Sequence, residues 1–277
     1  MARRVTLPES KLKRKKRIQR TRLAILLGVL FILLAGAVVG VSWIPQIRIH
    51  SVEVAGAETV ATSTIEQFAS DLLVGRTLLV LPKNSIFLYP KKQIIDGLTR
   101  EHPEFKEVSV HASNFETIEV SVVERHAKAL WCDASSNCRL MDENGFVYAP
   151  DLLLDAPAFV RYSGEASSTP GYTSKVEPLQ YVTPDGFVAL AALVASLDDN
   201  QKDTTIDSVD VDANSDVHAH FANGFTLIFA LKDAKKDVYQ RFTLALASQP
   251  FLNHTIGDFE YLDLRFGDKL YYRLKSQ

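Results

Sequence analysis

An apolar run near the N-terminus is the strongest feature of the hydrophobic pattern. Leu23 to Trp43 comprises 21 residues without a charged side chain. A helix of that length spans roughly 31 Å, which matches the hydrocarbon core of a bilayer. Trp43 ends the run, and aromatic side chains settle at the boundary between membrane and water. The pattern therefore predicts a transmembrane helix over residues 23–43.

The pattern between this run and Arg125 switches between strand and helix periods. Ile47 to Gly56 alternates apolar and polar residues, which predicts a strand. Two amphipathic helices are expected next, one in "TSTIEQFASDLL" and one from Lys91 to about Arg100. A capping box of Ser63 and Glu66 is expected at the start of the first helix. Two alternating strands, "FKEVSVHA" and "TIEVSVVER", complete the order strand, helix, helix, strand, strand.

Many short strands and two longer helices are predicted beyond Ala127. Asn144-Gly145 and Asn223-Gly224 predict hairpin turns, and the Ser-, Gly- and Thr-rich segment Ser163–Pro178 predicts a mobile surface loop. Thr183 is expected to cap a well-covered helix that has Pro184 at its first position. A second, amphipathic helix is expected to bury Val238, Phe242, Leu244 and Leu246. Two strands around a tight turn, "FEYLDLRFGDKLYYR", follow this helix.

Charge is divided unevenly along the chain. Residues 1–22 contain ten Lys or Arg and one acidic residue, whereas the remainder contains 21 basic and 32 acidic residues. The tendency of positive charge to stay inside places residues 1–22 in the cytoplasm and 44–277 outside it. A cleaved signal peptide is the alternative, but its apolar region is usually shorter and ends in small residues. Attraction to anionic lipid explains the basic tail better than nucleic-acid binding does.

Two cysteines, Cys132 and Cys138, are separated by turn-forming residues in "WCDASSNC". If their flanks are antiparallel strands, the two sulfurs face each other, and an oxidising compartment allows a disulfide. Free thiols remain the alternative. A zinc site is disfavoured because further ligands at a suitable spacing are missing nearby.

The sequence offers little that indicates catalysis. It contains no G-x-S-x-G motif, no glycine-rich phosphate loop and only scattered histidines. His218 and His220 share one strand face, which we interpret as the polar outer face of a sheet and not as a metal site. Two acidic groups are interpreted as solvated turns: Asp198, Asp199 and Asp203, and Asp210, Asp212 and Asp216. We therefore predict no active site, no cofactor and no metal.

The last predicted strand indicates a binding surface. Leu270 and Tyr272 point to one face, whereas Lys269, Tyr271 and Arg273 point to the other. An edge strand exposes unpaired N–H and C=O groups, which an added peptide strand can satisfy. Tyr and Arg are also enriched in binding hot spots. Ordinary core filling is the alternative role of the tyrosines.

Six phrases in order carry a family resemblance: "IHSVEVAGAETVATSTI", "VGRTLLVL", "EFKEVSVHASNFETIEVSVVERHAKALW", "LMDENGFVY", "FANGFTLIF" and "EYLDLRFGDKLYYR". Together with one predicted span, the first part resembles a POTRA domain, and the whole resembles the bitopic cell-division family FtsQ/DivIB. The match runs from about Val5 to Arg273 and is best over Ile47–Tyr148 and at the C-terminus. The segment Ser163–Pro178 aligns poorly, and paired cysteines are not a general family feature.

The resemblance implies that the last strand receives an extended segment of a partner, FtsB or DivIC. Carried over by position, the docking residues are Phe266, Gly267, Asp268, Lys269, Tyr271 and Arg273. Asp263 and Arg265 on the preceding strand are expected to form a structural ion pair or, alternatively, rim contacts. The POTRA module is implied to recruit the protein to the division machinery, through the first strand or through Val108–Val110 or Ile118–Val122.

The predicted fold class is α+β, with a single transmembrane helix, a POTRA-type domain and a mixed β-sheet domain with two packing helices. The predicted domains are residues 1–22, 23–43, 44–125 and 126–277. The predicted function is a non-catalytic scaffold at the division septum, in the inner (plasma) membrane, which links partners resembling FtsB/DivIC and FtsL to the septal wall synthase complex. A membrane-anchored POTRA-containing sensor or transport accessory protein is the alternative, and an extracytoplasmic hydrolase is disfavoured.

Overall fold

The computed structural model describes residues 11–77, 81–150, 159–199, 204–235, 237–249 and 251–275. The chain divides into two units, one of residues 1–95 with 109–121 and one of residues 96–108 with 122–277. Five α-helices and a mixed sheet in the described residues make the fold α+β. The predicted fold class is confirmed at this level.

The first helix, α1 (Lys11–Ser42), contains the apolar run. Its segment Gln19–Ala37 is long and apolar enough to cross a membrane, judged by length and composition. Trp43 follows the helix directly, as the sequence predicts for the end of a span. Part of the basic tail, residues 11–22, is helical and continuous with the apolar segment, whereas residues 1–10 lie outside the described part of the chain.

The region after α1 has the predicted order strand, helix, helix, strand, strand, with two further short strands between the helices, where the sequence gives no strand signal. Its elements are β1 (Ser51–Ala55), α2 (Thr62–Leu73), β2 (Arg76–Thr77), β3 (Leu81–Pro82), α3 (Lys91–Glu101), β4 (Phe105–Ala112) and β5 (Thr117–Glu124). The three-stranded sheet has the order β1-β5-β4, with β1 parallel to β5, and β2 pairs with β3 separately. Two of the three segments proposed as edges, the first strand and Val108–Val110 on β4, lie at the ends of this sheet as expected, whereas Ile118–Val122 lies on β5, which β1 and β4 flank.

The capping box predicted for α2 is also wrong. The helix begins at Thr62, one residue before Ser63, and its N-cap Ala61 has no side chain that could accept a hydrogen bond. Ser63 consequently lies inside the first turn. Ile65, Ala69 and Leu73 are nonetheless buried, so the helical period predicted for this segment is confirmed.

The second unit contains an eleven-stranded mixed sheet and two helices. Its elements are β6 (Ala129–Cys132), β7 (Cys138–Met141), β8 (Phe146–Pro150), β9 (Arg161–Gly164), β10 (Ala166–Ser168), β11 (Leu179–Tyr181), α4 (Pro184–Asp199), β12 (Ile206–Val211), β13 (Asp216–Phe221), β14 (Thr226–Ala230), α5 (Val238–Leu246), β15 (Phe259–Phe266) and β16 (Lys269–Leu274). The sheet order is β10-β11-β8-β7-β6-β9-β12-β13-β14-β15-β16. The predicted loop Ser163–Pro178 is partly wrong, because β10 lies within it and pairs with β11.

Both helices of the second unit contribute buried side chains to its core. Thr183 caps α4 as predicted, because its Oγ1 accepts a hydrogen bond from the Gly186 amide at 3.2 Å. On α5, Val238, Phe242 and Ala245 are buried, whereas the predicted core residue Leu244 is 62% exposed. Positions 238, 242 and 245 follow the helical spacing, and residue 244 falls off that stripe.

A disulfide joins Cys132 at the end of β6 to Cys138 at the start of β7. The intervening turn is held by Asp133, whose Oδ1 accepts hydrogen bonds from the amides of Ser135 at 2.8 Å and Asn137 at 2.9 Å. Bonds from Asn137 and Ser135 lower the pKa of the Asp133 carboxyl. Hydrogen bonds to Asp133 thus hold this turn together with the disulfide.

Replacing both cysteines by serine is expected to lower the free energy of unfolding by about 2 kcal/mol, since the closed loop is short. Denaturant titration of the full chain in detergent micelles would measure this change. Alkylation of the denatured wild-type protein without reductant is expected to label no thiol. Two labelled thiols per chain would contradict the bridge.

Candidate partner-binding edge

The C-terminal strand β16 forms one end of the eleven-stranded sheet. Within the described part of the chain it pairs on one side only, antiparallel to β15, with Leu262 opposite Tyr272 and Asp263 opposite Tyr271. In such a pair every second residue directs its N–H and C=O away from the neighbour. The other end of the sheet, β10, has only three residues, whereas β16 has six. A short edge strand resists pairing, so β16 is the edge better able to accept a strand.

All of the predicted docking residues are exposed to solvent: Phe266, Gly267, Asp268, Lys269, Tyr271 and Arg273. Phe266 is 52% exposed and Tyr271 is 51% exposed. Their rings contact each other edge to face, with centroids 5.0 Å apart. Exposed aromatic pairs of this kind are typical of binding surfaces.

The hairpin turn between β15 and β16 depends on Gly267. Its φ is +61°, a left-handed conformation that side chains with a Cβ rarely adopt. The carbonyl of Gly267 accepts a hydrogen bond from an Arg241 Nη on α5. The helix therefore holds the turn, and with it the start of the edge strand, in a fixed position.

The opposite face of β16 attaches the strand to the core. The Tyr272 ring packs against Phe251 at 5.3 Å and Phe259 at 5.8 Å, and these two phenylalanines stack at 4.5 Å. Leu270 packs against the core as well. The alternation predicted for this strand places Leu270 and Tyr272 on that face and leaves Tyr271 on the other. Tyr272 thus covers two buried phenylalanines with its ring, although it is still 40% exposed, which fits the core-filling alternative only in part.

Lys275 fastens the C-terminal end of the strand. Its amide donates to the carbonyl of Asp258 at 2.9 Å, and its Nζ donates to the carbonyls of Asn223 at 2.7 Å and Gly257 at 2.9 Å. The sequence predicts a role neither for Lys275 nor for Arg241. Both side chains donate to backbone carbonyls, and because every residue has a carbonyl, the residue types do not indicate such partners. Arg273, predicted to dock a partner, forms an exposed ion pair with Glu260 at 3.1 Å.

An ion-pair cluster supports the edge from β15. Asp263 is buried, and its carboxylate accepts from the Arg265 guanidinium at 2.6 Å, while the same guanidinium donates to Asp216 at 2.6 Å. Of the two roles predicted for Asp263 and Arg265, these contacts match the structural one. The interpretation of Asp216 as part of a solvated turn is wrong, because Arg265 draws its carboxylate into the cluster.

The cluster shifts the pKa values of its members. Burial raises the pKa of Asp263, but the hydrogen bonds and charge of Arg265 outweigh it and hold that pKa below its usual range. The hydrogen bonds to Asp263 and Asp216 raise the pKa of Arg265. Both groups therefore stay charged at neutral pH, and Arg265 also lies over the Phe266 ring at 5.5 Å from its centroid.

The other predicted polar groups have structural contacts. His218 and His220 stack at 6.4 Å on one face of β13, as predicted, and burial, followed by the charge of His218, lowers the pKa of His220. Among the described residues, no group of three or more His, Cys, Asp or Glu could hold a metal ion. Asp198 accepts from the Ile206 amide at 2.7 Å, and Asp203 lies outside the described residues.

A cleft of about 690 Å³ beside the disulfide is the alternative candidate for a functional site, in this case a catalytic one. Its lining includes Trp131, Arg161 and Asp210. The Ser163 hydroxyl lies 2.9 Å from an Asp210 oxygen there, but none of the residues that line the cleft is a histidine. A serine nucleophile is usually activated by such a base. The open edge of β16 is therefore the better candidate for the functional site.

Comparison with known proteins adds no assignment, because no protein-family model and no curated protein matches the chain.

Proposed function

We propose that the chain is a non-catalytic, single-span scaffold of the bacterial division complex that binds a partner by strand addition at β16. The observation that carries this proposal is the six-residue open edge of β16, together with the exposure of all predicted docking residues on this strand and immediately before it. A long, exposed and aromatic edge strand is a liability for aggregation unless a partner covers it. The open edge supports a binding role, and the division role rests on the family resemblance of the sequence.

Strand addition explains why this edge is held in place at both ends. Arg241 fastens the turn and Lys275 fastens the far end, so the outward backbone groups between them are ordered before a partner arrives. Pre-ordering lowers the entropic cost of association. Each new backbone hydrogen bond contributes about 0.5–1.5 kcal/mol net. Side chains at alternate positions then determine which segment binds.

The chemistry of the exposed face indicates the kind of segment that fits. The Phe266–Tyr271 ring pair suits an apolar side chain, and Lys269 suits an acidic one. Glu260 already partly neutralises Arg273, so an acidic partner residue at that end has to share the guanidinium. In the proposed complex the segment belongs to a protein resembling FtsB or DivIC, which itself associates with one resembling FtsL.

The N-terminal helix supplies the remaining part of the proposal. A span in the plasma membrane keeps the binding edge close to membrane-bound division proteins on the outer side. The strand, helix, helix, strand, strand order beyond the span supports a POTRA-type module, for which we propose a role in recruitment to the septum. The scaffold thereby links its partners to the septal wall synthase complex.

Photo-crosslinking in the native cell tests the proposal. A photoreactive amino acid at Lys269 is expected to capture an extended segment of an FtsB- or DivIC-like protein, whereas the same group at Leu252, which is 60% exposed, is not. Depletion of the protein is expected to give filamentous, undivided cells. Normal division after depletion, or capture only of proteins unrelated to division, would overturn the division role. Wall degradation by the purified full chain would contradict its non-catalytic character.

A further inference from the structure

The end of α1 is followed, in the first unit, by a patch of exposed apolar residues and two arginines, of which Arg76 is exposed and Arg48 is half-buried. We call it the juxtamembrane patch, and its members are Trp43, Arg48, Val74, Arg76, Phe87 and Leu88. Phe87 is 67% exposed, Leu88 is 42% exposed and Val74 is 72% exposed. Side chains of this size cost free energy when they face water. Their exposure at one place in the fold calls for a contact that covers them.

Backbone contacts place this patch beside the end of the helix. The amide of Ile86 donates to the carbonyl of Ile47 at 3.1 Å, and the amide of Ile49 donates to the carbonyl of Asn84 at 2.7 Å. The turn that carries Phe87 and Leu88 is therefore attached to residues only a few positions after Ser42, where α1 ends. Ile86 is buried in the unit, whereas the two residues that follow it point outward.

The Trp43 ring contacts both arginines of the patch, which places them next to the end of α1. The guanidinium of Arg48 lies 4.9 Å from the centroid of the Trp43 ring, and that of Arg76 lies 5.1 Å from it. Trp43 is itself at the position where a tryptophan marks a membrane boundary. In a bilayer that α1 crosses, Arg48 and Arg76 would therefore lie beside the headgroup boundary.

The segment that contains most of the patch, residues 74–95, is basic, whereas residues 44–277 as a whole are acidic. Residues 74–95 contain no Asp or Glu but four basic residues, Arg76, Lys83, Lys91 and Lys92. Residues 44–277 as a whole contain 21 basic and 32 acidic residues. A basic, apolar surface is complementary to the charge and the acyl boundary of a membrane that contains anionic phospholipid.

We infer that the juxtamembrane patch is a second membrane contact, which binds the outer surface of the bilayer that α1 crosses. Phe87 and Leu88 insert at the boundary between headgroups and acyl chains, while Arg48 and Arg76 bind lipid phosphate. Each basic residue near an anionic surface is expected to strengthen the contact about fivefold. The patch thereby fixes the orientation of the first unit on the membrane, which a single helix does not do. This inference requires that α1 spans the membrane, but it does not require a division partner.

Spin labelling of the full chain tests the contact without any partner. Both native cysteines are joined in the disulfide, so a Leu88→Cys variant takes a single nitroxide label. A matched control is Ser63→Cys, which is exposed and lies at the opposite end of α2 from Val74. The labelled proteins are reconstituted in phosphatidylcholine vesicles with and without phosphatidylglycerol. Power saturation then compares collisions with oxygen, which enters the bilayer, and with a water-soluble nickel chelate.

The label at position 88 is expected to show at least about a threefold higher ratio of oxygen to nickel collisions than the label at position 63. The ratio at position 88 should fall when phosphatidylglycerol is omitted or when Arg76→Glu and Lys83→Glu are introduced. Equal ratios at the two positions in both lipid mixtures would overturn the proposal. Protection of position 88 only after a partner protein is added would likewise overturn it and would assign the patch to a protein interface. A Tyr271→Glu variant separates this inference from the proposed function, because it should leave both ratios unchanged.

Discussion

Replacing Tyr271 by glutamate is expected to weaken binding of the FtsB- or DivIC-like partner by about 30-fold or more, which corresponds to a hot-spot loss of about 2 kcal/mol. The ring is half exposed and contacts Phe266, so a partner strand that covers it buries both aromatic side chains. A glutamate at position 271 is hydrated in the free protein. In the complex it loses that water without gaining a cation or a hydrogen-bond donor, which costs binding free energy. Calorimetric titration of the full chain in detergent with the partner segment would measure the loss.

Stability and a second aromatic site provide the controls for this variant. Because Tyr271 faces away from the core, the free energy of unfolding of the Tyr271→Glu protein is expected to be lower than that of the wild type by less than about 1 kcal/mol. Phe115→Glu changes an aromatic residue of the first unit that is 65% exposed, and it is expected to leave the affinity unaltered. Wild-type affinity of Tyr271→Glu would contradict strand addition on this face, and an equal loss in both variants would indicate a general effect of added negative charge.

Replacing Arg265 by alanine is expected to cause the largest loss of stability, about 2–4 kcal/mol. The substitution leaves the buried carboxylate of Asp263 without its guanidinium and also removes the contact of Arg265 with Asp216. An uncompensated buried charge costs more than the net value of the pair that it belonged to. Chemical denaturation of the two proteins at neutral pH would measure the difference.

The same cluster predicts how stability depends on pH. The pKa of Asp263 is lower in the folded protein than its ordinary value of about 4, so its contribution is fully present above that value. As the pH falls below about 4 towards the folded pKa, Asp263 gains a proton and this contribution is lost. Arg265→Ala removes the guanidinium that lowers this pKa. The stability of the variant is therefore expected to fall less steeply than that of the wild type below pH 4.

Arg161→Ala is the matched control for the Arg265 variant. Arg161 also binds a carboxylate at 2.6 Å, that of Asp207, but about half of each side chain is exposed. Exposed ion pairs contribute little because water and salt screen them, so we expect a loss below about 1 kcal/mol. Equal losses of stability in the two arginine variants would contradict the prediction, because they would show that the burial of Asp263 does not increase the cost of removing its guanidinium partner.

The parts of the fold that the sequence predicted are those with local periodicity. The apolar run predicted the helix and its end directly before Trp43, and alternation predicted β15 and β16, with Tyr272 on the face that contacts Phe259 and Tyr271 on the other. All six docking residues carried over from the resemblance are exposed, although whether they bind a partner stays a prediction. Local patterns determine the direction of each side chain within a strand.

Three of the errors arose where distant residues decide the outcome. Asp216 looked like a turn residue because its ion-pair partner, Arg265, is 49 positions away in the chain. β10 lay hidden in a polar segment because strand pairing with β11 outweighs its weak intrinsic propensity. Lys275 and Arg241 fasten the edge through backbone carbonyls, which a sequence pattern does not display.

The single open side of β16 limits how many segments the protein can hold by this route. One side of the strand is occupied by β15, so the ladder has room for one further strand per chain. Occupancy is therefore expected to saturate at a ratio of one to one. Two different clients that use this ladder have to compete, and their relative abundance then decides which of them each molecule carries.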